Sequence, residues 1–304
     1  MDTVIRMSDV HKRYGRVAAL DGLDLAVARE EVHGFLGPNG AGKSTTIRIL
    51  LGLSKATSGH LSVLGRSPWR DGAQLRRRIA YVPGDVSVWP NLSGGEAIDL
   101  LARLRGIDDV DAYRRERDRL AKEFRFDPRT KGRAYSKGNR QKVALIAALA
   151  LPADLYVFDE PTSGLDPLME IVFRQELARV KGAGATVLLS SHILSEVELL
   201  CDRVSIVRAG RVVETGTLAE LRHLTRTEVS YARDGDAAAV PPGVHDVDTS
   251  GDRVRFTVDS DRVAGILPTL AELGVTGLRV EPPSLEELFL RHYGDDTSRK
   301  AARR

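Results

Sequence analysis

Gly37-Pro38-Asn39-Gly40-Ala41-Gly42-Lys43-Ser44-Thr45 carries the spacing GxxxxGK[ST], in which a glycine-rich turn leads from a strand into a helix and wraps its N–H groups around phosphates. The flanks fit that reading. Val32 to Leu36 is a short apolar run that predicts a strand, and Ser44 to Leu51 predicts a helix. Glycines at 37, 40 and 42 predict positive φ angles that turn the backbone N–H groups inward at a helix N-terminus. Lys43 then supplies a charge for the β- and γ-phosphates, and the Ser44 hydroxyl is a hard oxygen donor suited to Mg²⁺. A glycine-rich turn that binds nothing also satisfies the bare pattern, so the rest of the chain has to decide.

The chain has 304 residues, 42% of them hydrophobic, enough for one large domain or two modest ones. Forty-five basic against 42 acidic residues leave a net charge of +3, too little to mark nucleic acid as the main partner. Arginine-rich stretches at 76–78 and 114–119 read as solvated helix faces. Cys201, the single cysteine, excludes an internal disulfide and a multi-cysteine metal site, and reads as a small core residue. Charges every few residues keep the N-terminus from resembling a secretory signal. The longest apolar run, Val143 to Leu151, stops at Pro152, well short of the roughly 18 residues that span a bilayer. The chain itself is not expected to cross a membrane.

Residues 1–222 alternate strand-like and helix-like segments, which predicts an α/β core with a mainly parallel sheet. Residues 85–135 interrupt the alternation: Glu96 to Arg105 and Asp111 to Phe124 predict two charged helices, a helical insertion. Residues 225–294 predict a small α+β domain, with strands at Glu228 to Arg233, Arg253 to Val258 and Val275 to Val280 and a loop at Asp234 to Gly243. Helices are expected over Asp261 to Leu273 and Leu285 to Tyr293, the latter with a Ser284/Glu287 capping box. Residues 295–304 lack an apolar pattern and are expected to be a disordered basic tail.

Leu155-Tyr156-Val157-Phe158 predicts a buried strand that delivers Asp159 and Glu160 to its C-terminal edge, where open α/β sheets bind ligands. Asp159 is expected to hold Mg²⁺ through its water shell and Glu160 to activate the attacking water. An Asp-Glu pair after a strand also serves as a helix N-cap, but here Pro161-Thr162-Ser163-Gly164-Leu165-Asp166 follows.

With FDEPTSGLDP at 158–167, the first 220 or so residues resemble the nucleotide-binding subunits of ABC transporters. The resemblance implies a P-loop NTPase of ABC type that binds ATP and Mg²⁺ through Gly37, Pro38, Asn39, Gly40, Ala41, Gly42, Lys43, Ser44 and Thr45. It places Asp166 at a dimer contact, identifies His192 after the strand Thr186 to Ser191 as a switch residue at the γ-phosphate, and gives Tyr14 to the adenine. Leu92-Ser93-Gly94-Gly95-Glu96 looks like the family's LSGGQ signature, but it opens a helix of the insertion, and Ser93 and Glu96 read as a capping box. Tyr135-Ser136-Lys137-Gly138-Asn139-Arg140-Gln141 stands where the signature belongs, opening a helix over Asn139 to Ala150 that leads into the Asp159 strand. Ser136, Lys137, Gly138 and Gln141 are the expected phosphate-binding residues there. Lys137 replaces a family glycine, and its charge faces either phosphate or solvent. At Tyr81-Val82-Pro83-Gly84-Asp85 the family usually has Gln or Glu where Gly84 stands, which makes Asp85 a candidate metal-site residue by adjacency.

The family sandwiches each ATP between the phosphate loop of one subunit and the signature of another. A second copy of this chain, or a related ATPase subunit, is therefore an implied partner. The C-terminal PPSLEELFLRHYG resembles the accessory domain of ABC-2 type drug and antibiotic efflux ATPases, which implies a separate transmembrane permease, a place at the cytoplasmic face of the cell membrane and no nucleic-acid partner. The alternative is a soluble ABC ATPase acting on ribosomes or nucleic acid, whose usual second nucleotide domain or coiled-coil insertion is missing here. A nucleotide-binding regulator that barely hydrolyses ATP is disfavoured by Glu160 and His192.

Overall fold

The computed structural model describes residues 2–223, 226–232 and 240–281. It divides into two compact units, Met1–Thr215 and Gly216–Arg304. The first unit opens with strands β1 (Thr3–Tyr14), β2 (Val17–Ala28) and β3 (Val32–Leu36), helix α1 (Lys43–Leu50) and β4 (Ser58–Val63). There follow α2 (Gly72–Arg78), β5 (Ile79–Val82), three successive helices α3 (Gly94–Arg105), α4 (Val110–Glu123) and α5 (Lys137–Leu149), and β6 (Leu155–Asp159). α6 (Pro167–Gly182), β7 (Thr186–Ser191), α7 (Leu194–Leu200), β8 (Arg203–Arg208) and β9 (Arg211–Thr217) complete it.

The main sheet has the order β5-β6-β7-β3-β8-β9, and its first five strands run parallel. β3, β6 and β7 are buried at every residue, as strands covered by helices on both faces must be, and this is why each reads as an unbroken apolar run. Phe35, Leu155, Val157, Leu188 and Val207 share one core with Ile47 and Leu50 of α1. The carboxyl ends of the adjacent strands β6, β7 and β3 lead respectively into Glu160, His192 and Gly37, so three separate stretches of sequence meet at one sheet edge.

The reading of a mainly parallel sheet needs an addition. β2-β1-β4 form a separate antiparallel sheet, whose Ile5, Met7, Leu23 and Leu25 enter the same core. Its alternation is broken by register shifts between Met7 and Val10 and by a left-handed Asp9 with φ of 49°. A bulge of this kind flips the inward face and erases the period-two signal.

The second unit contains α8 (Leu218–His223), β10 (Arg226–Ala232), β11 (His245–Asp248), β12 (Arg253–Asp259), α9 (Val263–Glu272) and β13 (Arg279–Glu281). Its sheet has the order β11-β12-β10-β13, packed through Val229, Tyr231, Val254, Phe256, Val258, Ile266 and Leu270. The strand expected over Val275 to Val280 is shorter, because Gly277 turns at a φ of 61° and pairing begins only at Arg279. The expected helix Leu285 to Tyr293, its capping box, the basic tail and most of the Asp234 to Gly243 loop lie outside the described residues. Among the described residues, no helix is long and apolar enough to cross a membrane.

Candidate functional site

The phosphate loop runs from β3 to α1 with Gly40 and Gly42 at φ of 83° and 113°. Gly42 is also the N-cap of α1 and offers no side-chain cap, which leaves the first N–H groups of the helix for a ligand. Gly37 corrects the expectation of positive φ at all three glycines, since it is absent from the left-handed set. Its reason is crowding: an added Cβ would stand 2.6 Å from the Val207 carbonyl oxygen and 3.0 Å from Ala41 Cβ. Ser44 is exposed and Thr45 half-buried at the start of α1.

Lys43 is only 6% exposed, and its Nζ donates to the carbonyls of Gly37 at 2.5 Å and Pro38 at 3.3 Å. Burial draws the ammonium below its usual range, and the facing Glu160 and Asp159 carboxylates partly restore it. Gly210, at the β8–β9 turn, bridges this loop to β2: its N–H donates to the Ala41 carbonyl and its own carbonyl accepts from Asp21 N–H. Sequence reasoning missed Gly210, because only the fold brings residues 41 and 210 together.

Asp159 ends β6 at 7% exposure and accepts a hydrogen bond from the Ser190 hydroxyl. Glu160 follows with a φ of 50°, a left-handed conformation that costs about 1–2 kcal/mol for a residue with a Cβ. Bonds on both sides fix it, from Glu160 N–H to the Ser190 carbonyl and from Ser163 N–H to the Glu160 carbonyl. His192 Nδ1 lies 3.1 Å from Glu160 Oε1. Beneath them, Glu196 accepts from Thr162 Oγ1 at 2.7 Å and from Ser191 Oγ at 3.0 Å, tying the turn after β6 to the end of β7. Glu196 was also missed; its spacing on α7 carries no signal of that role.

Gly84 sits against the β6 terminus, where an added Cβ would lie 3.3 Å from the Asp159 carbonyl and 3.6 Å from its Oδ2. Asp85 is exposed and forms no hydrogen bond or ion pair among the described residues. Tyr14 closes β1 at the hairpin tip, 48% exposed, with Lys12 Nζ 4.7 Å from its ring centroid. The hairpin abuts the phosphate loop, since an added Cβ at Gly42 would meet the Ala19 carbonyl at 3.0 Å.

Both signature-like stretches are helix caps. Ser93 and Glu96 form the complete capping box of α3. Ser136, exposed, caps α5 by accepting from Asn139 N–H. Lys137 Nζ donates to Ser163 Oγ at 2.7 Å. Gln141 corrects the expectation of a ligand-facing side chain: it is 1% exposed and its Nε2 donates to the Pro161 carbonyl at 2.9 Å. Its register on α5 points it inward, against the turn after β6. Asp166, exposed, caps α6 through Leu168 and Met169 N–H. The structure thus gathers residues 37–45, 159, 160 and 192 at one sheet edge, whereas no hydrogen bond or ion pair joins residues 136–141 to the phosphate loop.

Residues 20–163 match the ABC transporter family, and residues 216–293 match the C-terminal domain of DrrA1-3-like ATP-binding proteins. Over 317 residues the chain is 36% identical to the daunorubicin resistance ATP-binding protein DrrA3 of Streptomyces coeruleorubidus, covering 99% of each. It is 31% identical to the bacitracin transport ATP-binding protein BcrA of Bacillus licheniformis, covering 98% of this chain and 99% of that one. A solved ATP-binding subunit of an ABC transporter superposes with a TM-score of 0.69 at 34% identity, over 73% of this chain and 93% of the other. A dimeric bacterial ABC transporter cassette, 24% identical, shares the fold at a TM-score of 0.64 over 70% of this chain and 98% of its own.

Proposed function

This chain belongs to the ATP-binding proteins of ABC transporters and is an ATPase, and on that premise we propose that it powers export of a drug- or antibiotic-like molecule through a separate transmembrane permease. The observation that carries the reading is the meeting of Lys43, Asp159, Glu160 and His192 at the carboxyl ends of three neighbouring strands. The substrate class rests on the likeness to daunorubicin resistance and bacitracin transport proteins.

Hydrolysis at this edge needs charge stabilisation and an aligned water more than covalent chemistry. The N–H groups at the start of α1 and the Lys43 ammonium bind the β- and γ-phosphates, the ammonium leaving the Gly37 and Pro38 carbonyls to do so. Glu160 takes a proton from the water as its oxygen attacks the γ-phosphorus and the bond to the ADP oxygen breaks. His192, beside Glu160 Oε1, orients that water and the phosphate. Tyr14 covers the adenine. The donor set fits a magnesium ion, a hydroxyl and a carboxylate being the hard oxygens it prefers alongside substrate phosphates. Ser44 and Asp159 would hold it, with Asp85 as a candidate third residue, and when bound it neutralises phosphate charge. Ser136, Gly138 and the N-terminus of α5 serve the ATP of a second copy, with Asp166 at the contact.

A groove of about 700 Å³ between α3, α5 and the segment after β5 supports the permease reading. Leu53, Trp89 and Leu104 expose apolar surface there, with 60%, 48% and 72% of each accessible. The segment from Gly84, beside Asp159, to Trp89 runs into this groove, so a seated permease segment touches the chain that lines the ATP site. On this reading the protein works at the cytoplasmic face of the membrane through its permease, with no membrane-spanning helix among the described residues, and no nucleic-acid partner is expected. Pull-down from detergent-solubilised membranes tests the reading. A multi-span protein retained by the parent and lost by Leu104→Glu supports it, and retained ribosomal proteins would favour the soluble alternative.

A further inference from the structure

The N-terminus of α5 is bonded to the turn that carries Glu160 in the same chain. Lys137 Nζ donates to Ser163 Oγ at 2.7 Å, and Ser163 N–H donates to the Glu160 carbonyl at 3.1 Å. The contact is close along its length: an added Cβ on Gly164 would stand 3.2 Å from Lys137 Cγ and Cδ, and one on Gly138 would stand 2.5 Å from the Gly164 carbonyl. Gln141 adds its bond to Pro161. Glu160 needs this support, because its left-handed backbone persists only where its surroundings over-determine it.

We propose that Lys137 is a positioning residue for ATP hydrolysis, clamping Ser163 so that Glu160 keeps its geometry. The inference rests on the reading of Glu160 as the general base. In the proposed dimer, α5 faces the partner's ATP while Glu160 serves the ATP on its own chain. A lysine makes this clamp where a glycine has no side chain to reach Ser163, and its ammonium acts on protein rather than phosphate.

The test is kcat and KM for ATP, with thermal unfolding, on the full chain as parent, Lys137→Met, Lys137→Arg, Ser163→Ala and the Lys137→Met/Ser163→Ala double variant. Methionine keeps the methylenes over Gly164 and removes the donor. The expected result is a kcat about fivefold lower for Lys137→Met and for Ser163→Ala, the equivalent of about 1 kcal/mol for one lost hydrogen bond. KM stays within about twofold of the parent, Lys137→Arg recovers most of the loss, and the double variant is no slower than either single one. Unchanged kcat, a raised KM at unchanged kcat, or additive losses would overturn the clamp. A parent that does not turn over ATP would remove the ATPase reading and the clamp with it, whereas an active parent with an indifferent Lys137→Met removes the clamp alone.

Discussion

Gly37→Ala and Gly40→Ala separate two reasons for glycine in one phosphate loop. At Gly37 the backbone is ordinary, but the new Cβ would stand 2.6 Å from the Val207 carbonyl, roughly 0.8 Å inside a normal van der Waals contact. Neither β8, paired along β3, nor the loop can yield without moving the other, so overpacking of about 1–3 kcal/mol is expected. A displacement of that size also misplaces the phosphate-binding N–H groups. At Gly40 an added Cβ meets nothing within 4 Å, and the cost is the left-handed φ alone, about 1–2 kcal/mol. Urea unfolding of the full chain, with titration of ATP, reads both. The two variants lose comparable stability, Gly37→Ala loses more ATP affinity, and Gly40→Asn recovers part of the Gly40→Ala loss because asparagine tolerates this region. Adding Ala41→Gly removes the 3.0 Å contact and leaves the Val207 clash, so it rescues little. Parent-like stability and ATP affinity in Gly37→Ala, or full rescue by Ala41→Gly, would refute the reasoning.

Ser93→Ala should cost about 1 kcal/mol of stability through the lost cap of α3 while leaving ATP turnover unchanged, whereas Ser136→Ala should slow turnover as well; steady-state ATPase and urea unfolding distinguish them. Glu176→Gln should cost about 2 kcal/mol at neutral pH, a buried-pair loss discounted for the partly exposed Arg119. Burial raises the Glu176 carboxyl, but bonds from Arg119 and Arg179 outweigh it and hold it below its ordinary 4.5. Its contribution is therefore full above pH 4.5 and lost as pH falls through the depressed value, so the gap between parent and variant should narrow in acid. Asp85→Ala should lower ATP turnover with ATP binding intact, and equal kcat in the two proteins would remove Asp85 from the metal site.

Legibility followed the range over which each feature is determined. β3 and β7 were readable to the residue because parallel strands buried on both faces are continuous apolar runs bounded by turns. The Ser93 capping box was readable because both partners lie within four residues. The β2-β1-β4 sheet was hidden by the irregular register around Asp9 and by the polar run His11-Lys12-Arg13 within β1. Gly37, Gly210 and Glu196 act through Val207, Ala41 and Thr162 respectively, partners that only the closed fold supplies. Gln141 was misread because a family signature gives its position on a helix but not the inward face that the Pro161 carbonyl occupies.

ATP turnover and self-association of Glu160→Gln test the account most directly, since glutamine keeps the size of the side chain and removes the base. The expected kcat is at least about 100-fold below the parent, with ATP still bound and a dimer accumulating only when ATP is present. Turnover within a few-fold of the parent, or a chain that stays monomeric with ATP bound, would contradict it.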